Sequence, residues 1–319
     1  MEGIFDEIRS RCAEVAHRTR LVAIDDEALA ALASSLARER PAPSFPDPGR
    51  KPFESPATAL AFTMTLSAVN FGSGWFPKLK KLRGRSGYFT VATRLRERFD
   101  NDGPLTVDEL RSMDTLSAML LFGQVLNFEV EELMNLFARS LRDLGAFVGE
   151  RYGGDFSGPV AEADGSAARL VSILARMPLY RDVSRYEELS VPFMKRAQLL
   201  CADLHALFAG GGPGRFGDLG SLTLFADNLV PHVLRMKGVL RYEEGLAARI
   251  DREEPLVHGS PEEVSIRAVA LHAVEELSAA CGRQGYPVSP ARLDEVLWTT
   301  GQSPEIKAHP RHRAPCAFY

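Results

Sequence analysis

The most isolated charged residue of the chain is Asp227, which lies in the segment LFADNLVP at residues 224–231. No other Asp, Glu, Lys or Arg occurs from 219 to 234. A lone carboxylate in an apolar run is expected to be buried, where it must be hydrogen-bonded or take up a proton. Phe225 adds an aromatic ring, and we expect Pro231 to interrupt a helix just beyond. Asp227 is therefore either a ligand-binding acid or a core Asp bonded to backbone groups that Pro231 leaves free.

A second acid, Asp294, follows the helix start Ser289-Pro290 and so lies near the N-terminal end of a predicted helix. The helix dipole favours a negative charge there, which alone explains an Asp at this position. However, Trp298 lies one turn further on the same face. An acid beside an aromatic ring is typical of a pocket for a flat base, so a binding site is the alternative interpretation.

Cationic and polar side chains are concentrated at two places. Lys195, Arg196 and Gln198 share one turn of a predicted helix, with Asp203 about two turns further along. This arrangement indicates either a structural ion pair or a contact with a phosphate. A basic run with aromatic neighbours, at residues 75–88, is either a solvated loop or a site for a nucleotide phosphate or a single strand.

The composition is that of an ordinary globular protein, with 45% hydrophobic and 25% charged residues in a chain of 319. A net charge of −4 argues against a protein-wide nucleic-acid surface. The charged N-terminal sequence and the absence of a long apolar run predict no signal peptide, no membrane span and a cytoplasmic location. The four cysteines are far apart and form no CxxC pair, so we expect no disulfide, no metal site and no cofactor.

Helix start signals recur along the chain and predict an all-α fold. Ser55, Ser260 and Ser289 each precede a proline, and the pairs Thr106/Glu109 and Ser260/Glu263 have the spacing of a capping box. Apolar residues between these signals repeat at helical spacing, as in the following three sets: Leu29, Leu32 and Leu36; Phe137, Leu141, Leu144 and Val148; Phe193, Ala197, Leu200, Leu204 and Phe208. Only residues 186–192 could be extended.

The predicted helices are interrupted at residues 41–53, 72–87, 152–159 and 210–220. A chain of this length forms either one large core or two packed lobes. We therefore expect a single enzyme unit over residues 1–319, and if it has two lobes, their seam lies near 152–159.

Several segments together resemble the queuosine salvage family, the queuosine 5′-phosphate N-glycosylase/hydrolases. They keep their order from about residue 63 to the end of the chain and are found at 70–71, 86–88, 180–186, 193–198, 222–231, 264–267, 274–275, 293–298 and 318–319. The chain departs from the family pattern at Asn228-Leu229, at Thr299 and at residues 72–76. An equivalent of the family's base-contacting His is not found.

The resemblance implies a helical fold similar to that of DNA glycosylases. It also implies hydrolysis of the N-glycosidic bond of queuosine 5′-monophosphate, which releases queuine and ribose 5-phosphate without a metal. The substrate partner is then a small nucleotide, with no stable nucleic-acid partner.

Site residues follow from the same resemblance. The family's catalytic acid falls on Asp294, where an ionised carboxylate could stabilise an oxocarbenium-like state or orient water. Asp227 joins it in the active site as the acceptor for the guanine-like edge of the base. Phe225 or Trp298 would stack on the base. Thr299 is a further expected contact to the substrate, and Lys195 is the expected contact to the phosphate.

Two rival functions stay open. The first is a glycosylase that acts on a damaged base within nucleic acid, against which the acidic net charge counts. The second is a non-catalytic helical module that binds queuine, for which Thr299 is the suggestive departure.

Overall fold

A computed structural model describes residues 3–41 and 53–319 of the chain. Most of these residues are helical, which confirms the predicted fold class. The α-helices are α1 (Ile4–Arg18), α2 (Asp26–Glu39), α3 (Pro56–Ala68), α4 (Gly87–Asp102), α5 (Val107–Arg111), α6 (Thr115–Leu121), α7 (Glu131–Tyr152), α8 (Gly158–Ala163), α9 (Ala167–Leu174), α10 (Lys195–Leu207), α11 (Val230–Met236), α12 (Glu244–Asp251), α13 (Pro261–Arg283), α14 (Pro290–Thr300) and α15 (Pro304–Lys307). The implied likeness to DNA glycosylases stays a prediction.

Two short antiparallel sheets accompany the described helices. β2 (Val183–Tyr186) and β3 (Leu189–Pro192) form a hairpin, which confirms the extended conformation predicted near 186–192. β1 (Val22–Ile24) pairs with β4 (Leu240–Tyr242) in the register Val22 to Tyr242. The β1–β4 pair was not predicted, because each strand is three residues long and its partner lies more than 200 residues away.

The chain forms two compact units. The first takes its residues from Met1–Pro46, Asp182–Lys195 and Gly220–Pro315, and the second from Asp47–Arg181, Arg196–Leu219 and Cys316–Tyr319. Residues 152–159, where a seam was expected, all lie inside the second unit, between the end of α7 and the start of α8. That the chain acts as a single enzyme unit stays a prediction.

The core of the first unit is built around α13. This helix contacts α1, α2, α11, α14 and β1, so it is buried on most of its faces rather than along one stripe. On α2, the predicted apolar set is buried at Leu29 and Leu36 and half-buried at Leu32.

The core of the second unit is built around α7, which contacts α3, α5, α6 and α8. The predicted apolar face of Phe137, Leu141, Leu144 and Val148 is fully buried, which confirms it. Phe137 also meets two other rings edge to face, at centroid distances of 5.0 Å from Phe71 and 5.1 Å from Phe122.

Side-chain caps define the helix starts as predicted. Ser55, Ser260 and Ser289 each accept a backbone N–H from three residues further on, and a proline opens each of these helices. Thr106 and Glu109 form the complete reciprocal capping box. At α13, Ser260 accepts the N–H of Glu263, while the Glu263 carboxylate accepts the N–H of Gly259. None of the helices in the described ranges is long and apolar enough to cross a membrane.

Candidate functional site

Asp227 belongs to an irregular loop, residues 222–229, that leads directly into α11. Its Oδ1 atom accepts the backbone N–H of Leu229 at 2.7 Å and that of Val230 at 3.2 Å. The prediction that Pro231 interrupts a helix is wrong, because α11 begins at Val230 and Pro231 lies in its first turn. A proline fits there because the first helical N–H groups have no intrahelical acceptor and the fixed φ suits the helix.

The predicted burial of Asp227 is also wrong, since its side chain is only half-buried between the buried residues Ala226 and Asn228. The apolar run surrounding Asp227 reflects the burial of its neighbours and not of the acid itself. Within the described part of the chain, nothing hydrogen-bonds to the Oδ2 atom of Asp227. The backbone therefore orients the carboxylate through one oxygen and leaves the other for a ligand.

Asp294 lies in the second turn of α14, whose start is set by the Ser289 cap. Its side chain is 7% exposed, and its Oδ1 atom accepts the backbone N–H of Phe225 at 3.2 Å. This bond joins α14 to the Asp227 loop across 69 positions of sequence. The structure therefore brings Phe225, Asp227 and Asp294 together.

The environment of Asp294 favours its protonated form. Burial raises the pKa of the Asp294 carboxyl well above its usual value, and the negative charge of Asp227 raises it further. The N–H of Phe225 and the positive charge of Lys195 act in the opposite direction. The Asp294 carboxyl thus holds its proton to a higher pH than an ordinary Asp.

Lys195 is 6% exposed and forms the first residue of α10. Its backbone N–H donates to Asp182 Oδ2 at 3.3 Å, and its ammonium group is close enough to Asp294 to lower the pKa of that acid. Lys195 therefore lies near Asp294. The adjacent Arg196 belongs to the second unit, where it donates to the carbonyl oxygen of Ala68 at 2.6 Å.

The aromatic residues of the site differ in exposure. Trp298 lies one turn beyond Asp294 on α14 and is half-buried, whereas Phe225 is 3% exposed. Thr299 follows Trp298, and its buried Oγ1 atom makes no hydrogen bond within the described residues. Trp298 is thus the aromatic ring that a ligand can reach more easily.

Three residues near the site had no predicted role: Arg267, Asp182 and Arg311. Arg267 on α13 donates from Nε to the carbonyl oxygen of Ala226 at 3.0 Å, and it also binds Asp182. Burial lowers the pKa of Arg311, while the carboxylate of Asp227 opposes this effect, so Arg311 also lies near the loop. Arg267 could have been found from sequence, because no other Asp, Glu, Lys or Arg occurs between Glu263 and Glu275.

The described ranges contain no group of three or more His, Cys, Asp and Glu side chains that could hold a metal ion. The four cysteines are all free and buried. Burial raises the pKa of the Cys12 and Cys201 thiols, which disfavours the reactive thiolate form.

A family model described as queuosine salvage protein matches residues 50–319. The chain belongs to the queuosine salvage protein family. A family member from Sphaerobacter thermophilus, named queuosine 5′-phosphate N-glycosylase/hydrolase, is 36% identical over 96% of this chain and 95% of its own length. Proteins of the same name from Bos taurus and Schizosaccharomyces pombe are each 30% identical. The match to the Bos taurus protein covers 73% of this chain and 72% of that protein. The match to the Schizosaccharomyces pombe protein covers 70% of this chain and 65% of that protein.

Proposed function

We propose that the protein hydrolyses the N-glycosidic bond of queuosine 5′-monophosphate and releases queuine and ribose 5-phosphate. Membership of the queuosine salvage family and relatives named for this activity support the reaction. The observation that carries the proposed mechanism is the hydrogen bond from the Phe225 N–H to Asp294. This bond holds the buried Asp294 against the loop that carries the more accessible Asp227.

Asp227 recognises the base in this proposal. Queuine carries the 2-amino pyrimidinone edge of guanine, which presents N–H donors in one plane. The backbone N–H groups of Leu229 and Val230 hold Oδ1 and orient the carboxylate, so Oδ2 is left to accept from the base. Hydrogen bonds to a charged acceptor are strong, which makes Asp227 the main determinant of base affinity.

Trp298 and Phe225 hold the flat face of the base. The half-buried Trp298 offers its indole ring for stacking, one helical turn from the acid that acts at the ribose. Phe225 contributes its ring from the loop side and its N–H to Asp294. Thr299 provides a buried hydroxyl that can donate to the ligand or accept from it.

Asp294 acts on the ribose. Departure of the base builds positive charge around the anomeric carbon, and an ionised carboxylate beside that carbon stabilises the transition state. Water supplies the oxygen that bonds to this carbon, and one water proton ends on the base, which leaves with the bonding electron pair. Asp294 either stabilises the charge directly or orients the attacking water.

Binding of the base prepares Asp294 for this role. The charge of Asp227 raises the pKa of Asp294. The N–H donors of queuine reduce the effect of that charge, so the carboxyl of Asp294 ionises more readily once the substrate is bound. Lys195 favours the same ionisation and is also the proposed contact to the 5′-phosphate.

Incubation of the purified protein with queuosine 5′-monophosphate tests the proposal. We expect equal amounts of queuine and ribose 5-phosphate, measured by chromatography and mass spectrometry, with no added metal or cofactor. Guanosine 5′-monophosphate and the unphosphorylated nucleoside are the matched controls for base and phosphate recognition. Absence of product at high enzyme concentration would contradict the proposed reaction, and bound queuine without turnover would favour a binding module.

A nucleic-acid substrate is tested separately by a gel-shift assay at low salt. The net charge of −4 predicts no stable complex with DNA or RNA. A complex that persists at physiological salt would favour the alternative glycosylase function.

A further inference from the structure

Asp182 and Arg267 form a buried ion pair in the first unit. The two carboxylate oxygens accept from the two terminal nitrogens of the guanidinium at 3.0 and 2.6 Å. Arg267 is 0% exposed and Asp182 is 2% exposed. Such a two-point contact fixes the plane of the guanidinium as well as its position.

Arg267 uses its remaining nitrogen on the Asp227 loop. Nε donates to the carbonyl oxygen of Ala226 at 3.0 Å, and Ala226 lies between Phe225 and Asp227. The guanidinium also lies over the ring of Phe193, at 3.9 Å from the ring centre. The orientation that binds Asp182 therefore also determines where the backbone between Phe225 and Asp227 runs.

Asp182 holds a second part of the site. Its Oδ2 atom accepts the backbone N–H of Lys195, and its own carbonyl oxygen accepts the N–H of Phe193 at 2.8 Å. Met194, between these two residues, has a φ of 50°, which is uncommon for a residue other than glycine. The turn before α10, which positions Lys195, is thus hydrogen-bonded to Asp182, a member of the same ion pair.

We infer that Asp182 and Arg267 are positioning residues, which hold the base-reading carboxylate of Asp227 and the ammonium group of Lys195 at the spacing that the substrate requires. A buried ion pair generally contributes no more to stability than well-packed apolar side chains, so stability is a weak explanation for this one. The inference rests on the proposed function for the role of Asp227, but its geometry does not depend on the substrate.

The substitution Arg267→Lys tests the inference with the charge retained. One ammonium group cannot reproduce the planar contact to both Asp182 and Ala226, so the loop loses its anchor. We expect kcat/KM for queuosine 5′-monophosphate to fall about tenfold or more, mainly through KM, while circular dichroism shows a folded protein. Asp182→Asn, which keeps the side-chain size, should act in the same direction and serves as the second variant if Arg267→Lys does not fold.

Arg9→Lys is the matched control. Arg9 pairs with Glu275 at 3.2 Å and donates to the carbonyl oxygen of Ser221, just before the same loop. Like Arg267, Arg9 joins a carboxylate to a backbone carbonyl, but its side chain is partly exposed and the anchored carbonyl is six residues from Asp227. We expect kcat/KM of Arg9→Lys to stay within about twofold of the unsubstituted protein.

A double-mutant cycle separates positioning from general destabilisation. If Arg267 acts through Asp227, Arg267→Lys should lower kcat/KM much less when Asp227 is already replaced by Asn. Fully additive losses would contradict the inference, and so would equal effects of Arg267→Lys and Arg9→Lys.

Native-state amide exchange provides a measurement that needs no substrate. We expect the backbone amides of residues 222–230 to exchange faster in Arg267→Lys than in the unsubstituted protein, with α7 of the second unit unchanged. Unchanged exchange in the loop would overturn the inference. If the unsubstituted protein shows no turnover, the proposed reaction fails, and the exchange experiment still decides whether the ion pair anchors the loop.

Discussion

At the residue scale, two aspartates of the same site have different surroundings and therefore different proposed tasks. Asp227 is half-buried and held by two backbone N–H groups through one oxygen. Asp294 is buried and accepts one backbone N–H. An accessible, oriented carboxylate suits recognition, whereas the pKa of the buried Asp294 depends on the charges of Asp227 and Lys195, which suits the proposed ionisation on substrate binding.

Replacement of Asp294 by Asn should abolish turnover and stabilise the fold. The pKa of Asp294 is raised in the folded state, so its contribution to stability is present below pH 3.8 and is lost as pH rises through the folded pKa. Asn keeps an acceptor for the Phe225 N–H without this loss. We expect kcat to fall by about 100-fold or more, and the melting temperature to exceed that of the unsubstituted protein by an amount that increases from acidic to neutral pH.

The control for this prediction is Glu295→Gln, at the adjacent and more exposed position of α14. It should retain activity within a few-fold of the unsubstituted protein. Substantial turnover by Asp294→Asn, or a lower melting temperature at neutral pH, would contradict the role assigned to Asp294.

Replacement of Asp227 by Asn should weaken base binding and shift the pH profile. Loss of a charged acceptor typically costs about 1.5–3 kcal/mol, so queuine should bind about tenfold to 100-fold more weakly in a calorimetric titration. Removal of the neighbouring negative charge also lowers the pKa of Asp294. The limb of the kcat/KM profile that reports Asp294 should therefore move to lower pH, and an unmoved limb would show that the two acids are not coupled.

At the element scale, short capping motifs carry the site residues to their places. The Ser289 cap starts α14 and sets the helical turn on which Asp294 projects. The start of α11 supplies the N–H groups that bind Asp227. In both cases the end of a helix positions a residue of the candidate site.

Ser289→Ala should lower both stability and activity. It removes the acceptor for the N–H of Arg292, which costs about 1 kcal/mol, and the loosened first turn of α14 displaces Asp294. Ser55→Ala removes an equivalent cap from α3 in the second unit and should cost similar stability with unchanged kcat/KM. Chemical denaturation and steady-state kinetics on both variants measure the two effects, and equal kinetic effects would contradict this role of the α14 cap.

At the scale of the whole molecule, buried titratable groups determine how the fold responds to acid. Burial lowers the pKa of His312 from 6.5 to about 3. For Glu263, burial alone would raise the pKa, but the hydrogen bond with His258 and the charge of Arg267 outweigh it and lower the pKa to about 2. Both groups bind protons less readily in the folded state than in the unfolded state, so both favour unfolding in acid.

The stability that His312 and Glu263 contribute to the folded state should therefore be lost progressively below about pH 6.5. The contribution of His312 is fully present above pH 6.5 and is lost as pH falls toward its folded pKa of about 3. His312→Gln, which cannot titrate, should flatten the dependence of unfolding free energy on pH by on the order of a few kcal/mol between pH 6.5 and pH 4. The exposed His309→Gln is the control, and identical pH dependences for the two variants would contradict the prediction.

Many individual features follow from sequence because their physics is local. A Ser-Pro pair predicts a helix start since the cap and the acceptor-free N–H groups lie within one turn, and α3, α13 and α14 begin where this rule places them. The exposure of Asp227 could not be predicted in this way. The apolar segment around Asp227 indicates that the neighbouring residues are buried. Whether the Asp227 side chain itself is buried depends on which elements pack beside it.

The sequence alone thus determined the helical class, the helix starts and, through ordered short segments, the family. It also singled out Asp227 and Asp294, whose roles are proposals. Tertiary structure decided which acid is buried and which N–H holds each carboxylate. It also decided that Arg267 binds both Asp182 and the carbonyl oxygen of Ala226 in the Asp227 loop. The physical reason is separation along the chain. The decisive contacts join residues 41 to 85 positions apart, and only the packing of whole elements brings such residues together.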